Sequence, residues 1–157
     1  MEQFLAQYGD VLLKLIVAVT LGMLIGTERL FMHKEAGMKT HSLVAMGATL
    51  FIIISEMMAI KYGNLDNFDP SRIASQIIVG IGFIGAGMIM FRDSRLSGLS
   101  TASGLWVTAG IGMAVGFGLY ILAIISTILV LLIFILMSII ERPIRKISER
   151  TDQLNNN

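Results

Sequence analysis

The sequence predicts an all-α integral membrane protein, a helical bundle with about five transmembrane helices. Hydrophobic residues make up 55% of the 157 residues and charged residues only 15%, whereas a soluble domain carries roughly 25% charged residues. The apolar residues form long blocks, and a spanning helix needs about 20 of them. The net charge is only +1, so we expect no nucleic-acid partner. The absence of cysteine excludes disulfides and thiolate metal sites.

Three apolar blocks match one span each, at residues 11–31, 42–60 and 73–91. A fourth block, residues 99–140, contains no charged residue and is too long for one span. It would form a helix of about 60 Å, so we divide it at Gly116-Phe-Gly118, which predicts a turn.

The two ends of the chain lie outside these spans. Glu2 stands where a signal peptide would have a basic region, so we expect no cleavable signal and the first block remains a span. We assign residues 1–141 to a transmembrane domain and residues 142–157 to a short basic cytoplasmic tail.

Basic residues predict the orientation, because Lys and Arg concentrate in cytoplasmic loops. Five spans place nine of the twelve on one side, whereas an even number would mix the two sides. We therefore expect a bacterial cell membrane protein whose N-terminus is outside and whose C-terminus is cytoplasmic.

Small residues recur at helical spacing in three spans, where they suit close helix packing. The third span also places Asp69, Arg72, Gln76 and Gly80 on one face, which indicates a packing seam or a cavity lining. Bundle packing, homodimerisation and a permeation path all fit these glycines. The predicted packing glycines are Gly22, Gly26, Gly80, Gly82, Gly85, Gly87, Gly104, Gly112 and Gly116.

The topology predicts a polar cluster at each end of the bundle. The cytoplasmic cluster contains Glu28, Arg29, Lys39, Thr40 and His41. Glu28 and Arg29 are adjacent and diverge on a helix. We therefore expect Glu28 to pair with Lys39 and Arg29 with Asp93, and His41 to be an interfacial loop residue.

The outer cluster contains Glu56, Asp69, Arg72 and Gln76. We expect Asp69 to cap the third helix, since Pro70 follows it, and Asp10 to pair with Lys14, four residues later. Carboxylates suit magnesium. Glu28 and Asp69 are the candidate ligands, but they are predicted at opposite ends and cannot form one shared site.

Three stretches together resemble the MgtC/SapB family. The first is Gly26-Thr-Glu28-Arg29 with Ala36-Gly-Met-Lys-Thr-His41, the second is Asp69-Pro-Ser-Arg72-Ile-Ala-Ser-Gln76 with Gly80-Ile-Gly-Phe-Ile-Gly-Ala-Gly87, and the third is Ser97-Gly-Leu-Ser-Thr-Ala-Ser-Gly-Leu-Trp106. Lys39 stands where the family commonly has Arg, which removes a bidentate donor, and Ser100 and Ser103 stand where Thr and Ala are common. Larger members carry an ACT-like C-terminal domain, and we expect this chain to be the short form without it.

The resemblance implies a non-enzymatic bacterial membrane protein that regulates a membrane partner during low-magnesium or acid stress. The partner is the ATP synthase in some relatives, and a homodimer is expected. No cofactor is expected, although magnesium is a candidate ligand. A dimeric transporter or channel for magnesium or another cation is the alternative, and a structural or lipid-organising protein is a third hypothesis.

Overall fold

Five long helices and one short hairpin make up the computed structural model, which describes residues 2–62, 69–92 and 95–155 and the side chains of residues 8–62, 69, 71–91 and 96–141. The helices are α1 (Glu2–Phe31), α2 (Met38–Tyr62), α3 (Pro70–Met88), α4 (Leu99–Gly116) and α5 (Tyr120–Asn155), and the strands are β1 (Met90–Arg92) and β2 (Arg95–Ser97). Each of these five helices is long and apolar enough to cross a membrane. The predicted five-span helical bundle is therefore confirmed.

Two helices end in the same kind of hydrogen-bonded turn. After α4, Gly118 adopts a φ of +75° and donates its N–H to the carbonyl of Val115 at 2.9 Å. After α1, His33 adopts a φ of +53° and donates to the carbonyl of Leu30 at 3.0 Å. A left-handed residue after a helix is usually Gly. The predicted break between the fourth and fifth spans therefore forms at Gly118, which adopts the left-handed conformation that ends α4.

The third span ends earlier than predicted, because α3 stops at Met88 and an antiparallel hairpin follows. Met90 pairs with Ser97 and Phe91 with Leu96. Gly98 then adopts a φ of +84°, and a Cβ atom there would collide with the carbonyl of Met88. The strands were missed because Met90 and Phe91 extend the apolar block without a change in composition.

The helices α1, α2 and α4 form the centre of the bundle, α3 packs against α4, and α5 packs against α1 and α4. The centre is built from small and branched residues, among them Ala18, Ile25, Ala45, Ile111 and Val115. Most of the described side chains of α5, at residues 120–141, are exposed on the outside of the bundle. It continues to Asn155 without a break at the predicted boundary between residues 141 and 142.

Candidate functional site

Glycines close the seam between α1, α2 and α4. A Cβ atom added to Gly22 would lie 2.6 Å from the carbonyl oxygen of His41, and one added to Gly26 would lie 2.5 Å from the backbone of α2. Gly112 lies against the carbonyl of Ala45 in the same way. Backbone contact of this kind lets membrane helices pack closely, and it leaves no gap between the helices at these three levels.

Two further glycines of α4 make room for side chains. A Cβ atom on Gly116 would lie 2.7 Å from the Cβ of Ile52. One on Gly104 would lie 3.1 Å from the ring of Phe134 and 3.4 Å from the ring of His41. Gly104 is therefore the point at which an aromatic side chain of α5 and a polar side chain of α2 approach each other.

Glu28 and Arg29 form an ion pair with each other inside the bundle. Arg29 donates from Nη2 to Oε1 of Glu28 at 2.9 Å and from Nε to Oε2, and the two side chains are only 3% (Arg29) and 8% (Glu28) exposed. The prediction that these neighbours diverge is wrong, because the long arginine side chain bends back to reach the carboxylate. Among the described residues Lys39 forms no ion pair with Glu28, and Asp93, the predicted partner of Arg29, lies outside those residues.

Arg29 also contacts α5 and thereby connects the ion pair to a third helix. Its Cζ atom lies 3.5 Å from the centre of the Phe134 ring, and a guanidinium over an aromatic face is attracted by the ring quadrupole. Nearby, Thr101 of α4 donates its hydroxyl to Oε2 of Glu35 at 2.7 Å. These contacts fix the α1–α2 end of the bundle to α4 and α5.

His41 lies in α2 and is fully buried, so its predicted position in an interfacial loop is wrong. Its Nδ1 lies 2.8 Å from Oγ1 of Thr108, whose hydroxyl donates to the carbonyl of Gly104 at 2.8 Å. A hydroxyl has one proton to donate, so Nδ1 is the donor to Thr108. Nε2 has no hydrogen-bond partner among the described residues.

We call Glu28, Arg29, His41 and Thr108, together with the partly buried ring of Phe134, the buried polar cluster. The first three are predicted from the sequence as polar cluster residues, whereas Thr108 and Phe134 are not. The signal for Thr108 was its place in the ladder of small residues at positions 100, 104, 108, 112 and 116. For Phe134, the available signal was an aromatic residue in a mostly aliphatic stretch, where it is the only aromatic residue after Tyr120.

The opposite end of the bundle holds a second set of charges. Lys14 lies 3.2 Å from Oδ2 of Asp10 and 3.7 Å from Oε2 of Glu56, which confirms the predicted pair with Asp10. Asp69 caps α3 as predicted, since Oδ1 accepts from the amide of Ser71 at 2.9 Å. The hydroxyl and the backbone N–H of Ser71 both lower the pKa of Asp69 below its ordinary value of 3.8.

The polar and small residues of α3 are more exposed than predicted. Arg72 and Gln76 are exposed. Nothing in the described part of the chain lies within 4 Å of a Cβ atom placed on Gly80, Gly82 or Gly87. The described part of the chain therefore forms no packing seam along these three glycines, contrary to the prediction. Gly85 is buried and lies against Ala102 of α4.

A groove of about 710 Å³ lies between α2 and α3, so the alternative prediction of a cavity lining describes this region better. Gly47 and Phe51 line it on α2, and Gln76 and Gly80 line it on α3. Lys39 and Thr40 lie at its α2 N-terminal end, where Lys39 is exposed and Thr40 partly buried. The groove is thus apolar along its walls with polar groups towards its ends.

Metal-ligand geometry is absent from the part of the chain that the structure describes. There, no three His, Cys, Asp or Glu residues stand close enough together to hold an ion. Of the candidate ligands, Glu28 is bound by Arg29 and Asp69 caps its own helix.

The chain was compared with known proteins and families. The family model described as MgtC family matches residues 15–143. "Putative magnesium transporter YhiD" of Escherichia coli strain K12 is 44% identical over 127 residues, which cover 80% of this chain and 59% of that protein. "Protein MgtC" of Salmonella typhimurium strain LT2 is 41% identical over 143 residues, 91% of this chain and 56% of that protein. The chain thus spans less than two thirds of the length of these relatives, and no solved structure matches it.

Proposed function

The chain belongs to the MgtC family, and from that premise we propose that it is a non-enzymatic membrane regulator that acts by helix–helix contact under low-magnesium or acid stress. The name of the Escherichia coli relative connects that protein with magnesium. A membrane complex such as the ATP synthase is the partner that the family resemblance implies. The chain would change the activity of that partner without carrying ions itself.

One observation carries the proposal: in the described chain, α1, α2 and α4 are in backbone contact at three glycines, and the buried charges of Glu28 and Arg29 pair with each other. Gly22, Gly26 and Gly112 are in backbone contact across the seam, so no side chain separates the helices there. The carboxylate of Glu28 accepts two hydrogen bonds from Arg29. A cation following this path would have to displace the guanidinium from a buried carboxylate, which is costly because each charge would lose its partner.

The exposed side of α3 is the surface that we propose for the contact. Val79 is 68% exposed and Phe83 is 83% exposed, and Gly82 lies beside them without a neighbouring helix in the described chain. Gly22 and Gly26 of α1 and Gly104, Gly112 and Gly116 of α4 face other parts of the bundle at close range, whereas Gly82 is open to another helix. A small residue such as Gly82 lets a partner helix approach closely, and the neighbouring ring of Phe83 offers a large apolar surface for that helix to pack against.

Cation transport is the competing function, and the printed name of the Escherichia coli relative is what favours it. The decisive test is magnesium flux into sealed proteoliposomes that contain the purified protein. We expect no saturable flux above protein-free liposomes. Saturable flux that both Glu28→Gln and Asp69→Asn abolish, with folded protein in each case, would establish transport and overturn the regulator proposal.

Partner contact is tested by photocrosslinking in living cells. A photoreactive amino acid at position 83 should yield a specific adduct with a membrane protein during growth at low magnesium. The matched control is position 121 on α5, since Ile121 is 78% exposed but lies on a different helix. Equal adducts from both positions, or none from position 83, would contradict contact through α3.

A further inference from the structure

We propose that the groove between α2 and α3 binds one anionic phospholipid, with the headgroup phosphate at Lys39 and an acyl chain along Gly47 and Gly80. The groove holds about 710 Å³ and is open to the side, where the bilayer would surround the bundle. This site is separate from the buried polar cluster and from the exposed side of α3. It does not depend on whether the protein regulates a partner or transports an ion.

Charge complementarity identifies the headgroup. Lys39 is exposed and is the one charged residue that lines the groove in the described chain. No described carboxylate forms an ion pair with it. Basic pockets between membrane helices favour anionic headgroups, and an ammonium group donates charge-assisted hydrogen bonds to phosphate oxygens.

The groove walls suit an extended acyl chain. Gly47 and Gly80 present no side chain, and nothing described lies within 4 Å of a Cβ atom on either. Ala48, Ile81 and Ala109 pack together beneath them. A flexible acyl chain can fill such an apolar cleft, and the atoms of the cleft walls then gain van der Waals contacts with it.

The length of the groove favours a lipid over a second transmembrane helix. On α2 it extends from Lys39 to Phe51, which is about 18 Å of helix at the standard rise. One leaflet contributes about half of the roughly 30 Å hydrocarbon core, so the groove matches a single leaflet. A spanning helix would need a groove about twice as long.

A second copy would also have to supply an anion opposite Lys39. At that end of the bundle Glu28 is bound by Arg29 and Glu35 accepts from Thr101. Among the described side chains, Glu141 of α5 is a further carboxylate, and it follows a stretch of large aliphatic residues that is too bulky to enter the groove beside it. The lipid therefore satisfies both the charge and the shape of the groove.

Native mass spectrometry of the purified protein tests the proposal, using phosphatidylglycerol and phosphatidylcholine with identical acyl chains. We expect the protein to retain phosphatidylglycerol about fivefold more strongly, since one Lys near an anionic surface contributes about that factor. Lys39→Gln should remove this preference. Lys34→Gln is the matched control, because Lys34 is exposed on the same side but does not line the groove.

The acyl-chain site is tested by filling the groove. Gly80→Leu should lower retention of both lipids, whereas Gly82→Leu, two residues along α3 and outside the groove, should not. Each variant must first elute as folded protein, and Gly47→Leu replaces Gly80→Leu if it does not. A preference that survives Lys39→Gln, or unchanged retention in the filled variants, would overturn the proposal. So would a Phe51→Cys disulfide dimer in liposomes that contain phosphatidylglycerol, because it would place a second copy in the groove although the lipid is present.

Discussion

His41 donates from Nδ1 to Oγ1 of Thr108 at 2.8 Å, and this contact joins α2 to α4 in the interior of the bundle. Both side chains are completely buried. Water is excluded from such a position, so each polar group depends on the other helix for its partner. The contact therefore fixes the rotational setting of α2 against α4 at the level of the Glu28–Arg29 pair.

Removal of the Thr108 hydroxyl should destabilise the bundle. Thr108→Val keeps the shape of the side chain but leaves the Nδ1 proton of His41 without an acceptor, which costs about 1–3 kcal/mol. Thr108→Ser is the control, since it keeps the hydroxyl. The measurement is the free energy of unfolding in mixed micelles, and equal stability of the valine and serine variants would show that the hydrogen bond contributes nothing.

Removal of one charge of the buried ion pair should lower the free energy of unfolding more than removal of both. Arg29→Met leaves Glu28 buried without a counter-charge, and loss of one partner of a buried pair costs about 3–5 kcal/mol. The double variant Glu28→Gln with Arg29→Met removes both charges and should recover most of that loss. If the single and double variants unfold alike, the contact of Arg29 with Phe134, rather than the ion pair, stabilises this region.

Block length and turn residues allowed the five spans and the break near Gly116 to be predicted from sequence. Pairing inside the bundle could not be predicted, because it depends on how far a side chain bends once helices meet: Arg29 reaches its own neighbour Glu28. The burial of His41 could not be predicted either. Its polar neighbours Lys39 and Thr40 suggested a position at the membrane interface, whereas its burial depends on which face of α2 meets α4. Helical spacing alone cannot choose that face.

The same reasoning separates glycines that look alike in sequence. Gly112→Ala should destabilise the bundle by about 1–3 kcal/mol or more through overpacking, because its Cβ would collide with the carbonyl of Ala45. Gly82→Ala has open space and should be neutral or stabilising, since Ala is the better helix former by about 1 kcal/mol. Thermal unfolding in one detergent compares them, and equal losses at both positions would contradict the packing assignment.

The cap of α3 predicts a dependence on pH. Hydrogen bonds from Ser71 hold the pKa of Asp69 below 3.8 in the folded protein, so the ionised cap stabilises the helix start at neutral pH. This contribution is lost as the pH falls below 3.8 and through the lowered pKa. Asp69→Ala should therefore speed amide exchange of Ser71 several-fold at pH 7, where Asp69→Asn retains a capping oxygen. Slow exchange in the alanine variant would rule out a capping role.

The orientation inferred from the basic residues is directly testable because the chain contains no cysteine. Tyr62→Cys lies at the end of α2 and Lys34→Cys in the connection between α1 and α2, and both side chains are exposed. The Lys and Arg distribution places position 34 in the cytoplasm and position 62 outside. A membrane-impermeant maleimide should therefore label position 62 in intact spheroplasts and position 34 only after permeabilisation. The reverse pattern would invert the topology, and with it the leaflet from which the groove at Lys39 draws its lipid.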